Sequence, residues 1–417
     1  MQTSMLARVS QTTQAFSALK YRDFRFYWSG LLVSVSGFQI VQLAQGWLIY
    51  DLTGEAKFLG YLGLVTAMPT IILNLYGGVV ADRVNQLRLI QFTQGASALL
   101  FGLLGVLILL NLVAVWHVLV IALCSGALLA FDSPSRMALF PHLIDRKVLM
   151  NAVALNSLVW QSTRIVGPTL AGLLIAVSGL AAPFFLAALC FLAMVSAMRM
   201  IHPPAIPRHQ GGNVFQDLAE AARFVLNDNL FKFLIGMTFF NSFFGMSYVM
   251  LLPVFARNVL NVGALETGLL LGASGVGAVL VLMFAVTRAN SQKKGLYLIG
   301  GAALFGILLI AFSVSRSFHL SLLLLFLAGG SSTLYMIMVQ TTLQAQVPDR
   351  IRGRVMGIYG MTWSLLPLGA MQSGFLADLV SPTFAVGLGG IAVTFFALGA
   401  VLLNPDIRNL GLNRTRR

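Results

Sequence analysis

The stretch LYLIGGAALFGILLIAFSVS (296–315) runs for twenty residues without a charge. At about 1.5 Å per residue, a helix of that length covers roughly 30 Å, the hydrocarbon thickness of a bilayer. The apolarity is continuous rather than alternating, which predicts a helix and not a barrel strand. Comparable runs lie near 27–50, 58–80, 89–111, 115–137, 151–178, 180–200, 230–256, 265–287, 319–342, 354–379 and 383–403. With the first they make twelve. Of 417 residues, 58% are hydrophobic and 10% charged. Soluble domains hold about 45–50% apolar and about 25% charged residues. A water-soluble enzyme is thereby excluded, and the sequence predicts an all-α membrane protein of twelve transmembrane helices with short connections.

Charge sets the expected orientation. With the N-terminus inside, 23 of the 27 Lys and Arg fall on inner segments. Only Lys57, Arg257 and Arg316 fall outside, and Arg164 lies within a span. This is the bias of cytoplasmic loops, so the net charge of +14 needs no nucleic acid to explain it. The chain divides into an inner N-terminal tail (1–26), six spans (27–200), an inner linker (201–229), six more spans (230–403) and a basic inner tail (404–417). Within the linker, VFQDLAEAARFVL (214–226) has the pattern of an amphipathic helix lying on the inner membrane face. The segments PHLIDRKVLMNA (141–152) and QVPDRIRGRVMG (346–357) share Asp-Arg before a long span, as in two six-helix pseudo-repeats. Cys124 and Cys190 lie inside apolar runs and have no metal spacing. The polar N-terminal stretch lacks the apolar core and small-residue cleavage site of a secretory signal.

Several residues stand out by their chemistry. Arg164 sits near the middle of its span, where a charge costs about 2.5–3.5 kcal/mol or more. It cannot be relieved by losing a proton. Two readings are open: contact with an anionic or carbonyl-bearing substrate, or a structural pair with a carboxylate or with carbonyls freed near Pro168. Gln39, Gln42 and Gln45 recur at three-residue spacing along one face of the first span. Asp132 and Arg136 stand near the inner end of the fourth span, where Pro134 is expected to end the helix. Gly167, Pro168 and Gly172 allow close helix approach and a bend in the fifth span. The histidines have no metal partner at helical spacing, and phosphate-loop, dinucleotide and nucleophile-elbow motifs are missing. No metal or cofactor is expected.

GGVVADRVNQLRLI (77–90) resembles the signature loop of the major facilitator superfamily, matching at Gly78, Ala81, Asp82 and Arg83. TRIVGPTLAGLL (163–174) resembles that family's exporter motif, with Ala171 in place of one glycine. YRDFRFYWSG (21–30), WLIYDLTG (47–54), AFDSPSRMALFPHLI (130–144), NAVALNS (151–157) and RGRVMGIYG (352–360) are similar to the branch that includes the enterobactin exporter and bacterial drug-efflux proteins. The resemblance implies the major facilitator fold and a monomer in the cytoplasmic or inner membrane, with both termini cytoplasmic. It implies secondary export of an amphipathic small molecule, drug or siderophore-like, by alternating access, with protons as the coupling ion. Uptake by symport and lipid handling are the alternatives. By the same resemblance Asp132 pairs with Arg83 or Arg136 to latch the inner gate and is the coupling candidate; a solvated helix-end charge is the other reading. Spans one, four, seven and ten line the family's cavity. This adds Asn241, Tyr335 and Gln340 to Gln39, Gln42 and Arg164, and Trp363 joins them from span eleven.

Overall fold

The computed structural model describes residues 17–202, 214–288, 294–363, 365–403, 407 and 410. In apolar runs that cross a bilayer, a helix is the structure that bonds every peptide group without water. The first half holds α1 (Arg22–Thr53), α2 (Lys57–Arg83), α3 (Gln86–Leu109), α4 (Val115–Leu139), α5 (Leu149–Ser178) and α6 (Ala181–Arg199). The linker helix is α7 (Val214–Asn227). The second half holds α8 (Asn229–Phe240) and α9 (Tyr248–Phe255), joined by a π-type turn, then α10 (Ala264–Arg288), α11 (Lys294–Val314), α12 (Phe318–Gln346), α13 (Asp349–Trp363), α14 (Leu366–Leu379) and α15 (Pro382–Leu403). Among the described residues, nine helical stretches are long and apolar enough to cross a membrane, with α8 and α9 counted as one, Asn229–Leu260. The helix α2, with a described apolar part at Lys57–Leu73, the polar-studded α5 and the interrupted α13–α14 lie outside that set.

Local chemistry marks the boundaries. Asp228 caps α8 by accepting from Leu230 N at 2.8 Å, and Asn85 caps α3 by accepting from Arg88 N at 3.2 Å. Gly54 ends α1 at φ +68°, a left-handed conformation that costs glycine little. Pro134 does not end its helix: α4 continues through it to Leu139. Asp82 and Arg83 occupy the last turn of α2 rather than a loop before α3.

Packing gives the molecule two unlike ends. At the end bearing the N-terminal part of α1 and the linker, each half has its own core. One contains Phe24, Tyr27, Leu31, Leu139, Leu155 and Met194. The other contains Val225, Leu234, Leu298, Met338, Leu343 and Val355. At the opposite end a single core draws on both halves, with Tyr50, Leu59, Phe101 and Phe184 beside Leu252, Phe255, Phe312 and Ala377. Polar contacts cross between the halves there. Tyr50 Oη donates to Asn258 Oδ1 at 2.9 Å, Arg257 Nη1 donates to Asp51 Oδ1 at 2.8 Å, and Lys57 lies 4.0 Å from Asp378. The helix pairs α5–α10 and α2–α14 carry most of the contact between halves. Gly172 faces the Ala264 carbonyl and Gly268 the Pro168 carbonyl, with no room for a Cβ at either position.

The linker helix is docked, not loose on a surface. Ala221 and Val225 are buried in the second half's core against α13 and α8. Glu220 accepts from Arg350 Nη2 at 2.9 Å and also from Arg354.

Candidate functional site

A cavity of about 360 Å³ opens among α1, α2, α3, α4, α5 and α6, with Met250 from the second half also in its wall. Most of the lining is apolar or aromatic, including Leu31, Phe38, Leu62, Phe101 and Trp160, and the Phe38 and Trp160 rings meet edge-on at 6.3 Å. Such a wall suits a greasy or aromatic ligand body. The polar atoms are few and grouped.

The largest group is a closed ring of hydrogen bonds across three helices. Arg136 Nε donates to Asp132 Oδ2 at 2.5 Å, one turn apart on α4. Arg136 Nη2 donates to Ser34 Oγ on α1 at 2.9 Å. Ser34 Oγ donates to Gln94 Oε1 on α3 at 2.7 Å, and Gln94 Nε2 returns to Asp132 Oδ1 at 3.1 Å. Thr93 Oγ1 adds a bond to Asp132 Oδ1 at 2.7 Å. The carboxylate is 5% exposed, so its charge is answered inside the protein. Asp132 lies seven residues before the end of α4, about 10 Å inward, deeper than the helix-end position expected for it. Gln45 Nε2 and Asn156 Oδ1, on residues that also line the cavity, have no protein partner among the described residues. Below the cavity, outside the spans, Tyr21 Oη donates to Asp145 Oδ2 at 2.6 Å, and that bond raises the phenol above its ordinary pKa.

A second, smaller cavity of about 60 Å³ lies between the halves. It is lined by Gln39 and Gln42 from α1, Arg164 and Pro168 from α5, Tyr248 and Met250 from α9, and Ser274 from α10. The Tyr248 and Ser274 hydroxyls are 3.2 Å apart. Gln42 and Met250 belong to both cavities, so the two adjoin.

The structure thus brings Gln39, Gln42 and Arg164 into cavity walls and pairs Asp132 with Arg136. Four other expected lining residues are in neither wall. Asn241 is 1% exposed and points at Gly245, beside Phe305 and Val393, within the second half. Tyr335 is 1% exposed against Gly301. Gln340 is exposed, and Trp363 packs against the shared core. Helices apolar on all sides give no periodicity that tells which face a polar residue presents. Gly167 packs on Gln39, and Gly172 and Pro168 pack on α10. The side chains of Asp82 and Arg83, and the surroundings of Gly78, lie outside the described residues. Sequence reasoning missed Ser34, Thr93 and Gln94. Their signal was present, since each is a polar residue in a lipid-spanning run and needs a partner there.

The profile of the family described as transmembrane secretion effector matches residues 13–412. The staphyloferrin A transporter of Staphylococcus aureus is 25% identical over 386 residues, spanning 89% of this chain and 94% of that protein. The enterobactin exporter EntS of Citrobacter koseri is 25% identical over 363 residues, spanning 86% and 82%. Among solved structures, a mutant of the nucleoside transporter NupG superposes with a TM-score of 0.72 at 12% identity, over 92% of this chain and all of that one. A bacterial homologue of the human lysosomal transporter Spinster, in an inward-facing and unoccupied conformation, gives 0.68 at 14% identity over 93% and 96%.

Proposed function

The chain belongs to the transmembrane secretion effector family of the major facilitator superfamily, a family of membrane transporters, and from that premise we propose that it is a proton-coupled exporter of an amphipathic small molecule, drug or siderophore-like. The observation that carries the proposal is the contrast between the two ends, one sealed by a core common to both halves and the other split around a cavity. This contrast supports alternating access, with one side open to a cavity and the other closed. Adding α2, α5 and α13–α14 to the nine apolar spans gives twelve. The contacts support two related six-helix units: α2–α4, α3–α4 and α3–α6 are matched by α10–α12, α11–α12 and α11–α15. The units are 27–200 and 230–403, the linker is 201–229, and the basic tail is 404–417. The Lys and Arg bias supports both termini on the cytoplasmic side, which makes the split end the inner one. The cavity is then open to the cytoplasm, where an exporter loads. The named export function of the enterobactin relative supports the same direction. The protein works as a monomer in the cytoplasmic membrane.

In this reading Asp132 takes the coupling proton. Protonation removes the charge that Arg136 faces and opens the ring that ties α1, α3 and α4 together. Gly78, Asp82 and Arg83 serve the inner gate with Asp132 and Arg136. The test is everted membrane vesicles with an imposed proton gradient, a pH-sensitive dye and a panel of lipophilic drugs and catechol siderophores. Collapse of the gradient on adding a compound, lost in Asp132→Asn, is the expected result. Flux in the opposite direction, or gradient collapse unchanged in Asp132→Asn, would overturn the export or the coupling assignment respectively.

A further inference from the structure

The large cavity carries an ion pair that answers its own charge. The small cavity carries a guanidinium that does not. Among the described residues Arg164 makes no hydrogen bond or ion pair, although it lies at the sixteenth of the thirty positions of α5. Among the described residues no carboxylate pairs with Arg164: Asp132 pairs with Arg136, Asp51 with Arg257, Glu55 and Asp378 with Lys57, and Glu266 accepts from Gly263 N. The other open reading, a structural pair with carbonyls freed near Pro168, has no hydrogen bond from Arg164 to support it among the described residues. Arginine stays charged in a protein, and a charge held in the membrane faces a wet cavity, a counter-ion or a ligand. Around Arg164 stand the amides of Gln39 and Gln42 and the hydroxyls of Tyr248 and Ser274, which can donate to oxygen atoms.

We propose that Arg164 anchors an anionic oxygen group, a carboxylate or similar oxyanion, of the transported molecule in the small cavity, while the molecule's apolar body occupies the adjoining large one. The inference rests on the transport reading above for taking these cavities as the substrate route. A planar guanidinium fork bonds two oxygens of one carboxylate at once, which a lone ammonium cannot match. The cavity wall comes from two helices of each half, α1 and α5 against α9 and α10. An anion bound there touches both rocking units, so its binding bears on the exchange between open states.

The test uses the full chain in nanodiscs and a matched pair of probes, 2-naphthoate and its neutral amide, 2-naphthamide. Binding is read by quenching of tryptophan emission, because Trp160 lines the large cavity. The acid is expected to bind at least about tenfold more tightly than the amide to the native protein. Arg164→Gln should erase that preference and Arg164→Lys should keep part of it. Equal affinity for acid and amide, no binding of either, or an unchanged preference in a folded Arg164→Gln protein would overturn the proposal. Nanodiscs of phosphatidylcholine and of phosphatidylglycerol separate the sources of the oxyanion. Naphthoate binding weakened in the anionic lipid beyond the loss its negative surface potential causes in Arg164→Gln identifies a competing lipid headgroup as the natural occupant, and the absence of that excess identifies a soluble anion. Flux of 2-naphthoate from proteoliposomes is measured in parallel. Binding with the acid preference but without flux would remove the transport reading and leave the site. Flux without an acid preference would remove the site and leave the transport reading.

Discussion

Buried polar atoms decide the chemistry of this molecule at the scale of single residues. Asp132 and Arg136 are stable inside the first half because Ser34, Thr93 and Gln94 complete their bonds. Ser34 occupies a pivotal place, receiving from Arg136 and donating to Gln94. Ser34→Ala should cost about 1 kcal/mol, the usual worth of such a bond, and leave Gln94 Oε1 without its donor. A fall of about 1–2 °C in thermal midpoint would register it. An unchanged midpoint would mean that cavity water replaces the hydroxyl. Arg164 shows how far the sequence reaches at this scale. Its cost in lipid was legible from the run of apolar neighbours. Whether a carboxylate met it depended on which helices face α5, which no local pattern encodes.

The linker helix carries the lesson at the scale of the element. The helical pattern of VFQDLAEAARFVL reads as an amphipathic helix, and a helix spans Val214–Asn227, but the pattern says only that one face is apolar. A membrane surface and a protein surface satisfy that face equally. The structure gives it to the protein, with Ala221 and Val225 in the core and Glu220 clamped by Arg350 and Arg354. The clamp is partly exposed, so Glu220→Ala should cost only about 0.5–1 kcal/mol. Ala221→Glu buries a charge at a fully covered site and should undock the helix. Hydrogen exchange and limited proteolysis within 214–227 should rise slightly in the first variant and strongly in the second. Equal protection in all three proteins would place the helix on lipid instead. The same limit applies to α4, where Pro134 reads as a stop. In a long helix packed against α2 and α3, the neighbours hold the backbone through the proline.

At the scale of the whole molecule, the two halves meet where Asp51, Lys57, Arg257 and Asp378 form ion pairs around a shared apolar core. Alternating access requires that seal to part. Cysteines placed as Asp51→Cys and Arg257→Cys, in a chain carrying Cys124→Ser, should be joined by a short bifunctional thiosulfonate. Transport should then fall by about tenfold or more and recover on reduction. Binding of 2-naphthoate from the split end should persist, since the seal is already closed in this conformation. Continued transport by the joined protein would show that the halves do not separate there.

The amino-acid sequence alone settles the solvent and the helical class of the fold. Runs of about twenty apolar residues dictate helices, the placement of Lys and Arg predicts their orientation, and a charge such as Arg164 inside a run demands a wet cavity, a partner or a ligand. These are one-dimensional quantities, additive along the chain. Only the tertiary structure decided which polar residues meet. Gln39, Gln42 and Arg164 reach cavity walls, whereas Asn241 and Tyr335 turn into the second half's interior. The physical reason is that helices apolar on every side carry no moment to orient them, so facing is settled by close packing at positions such as Gly172 and Gly268.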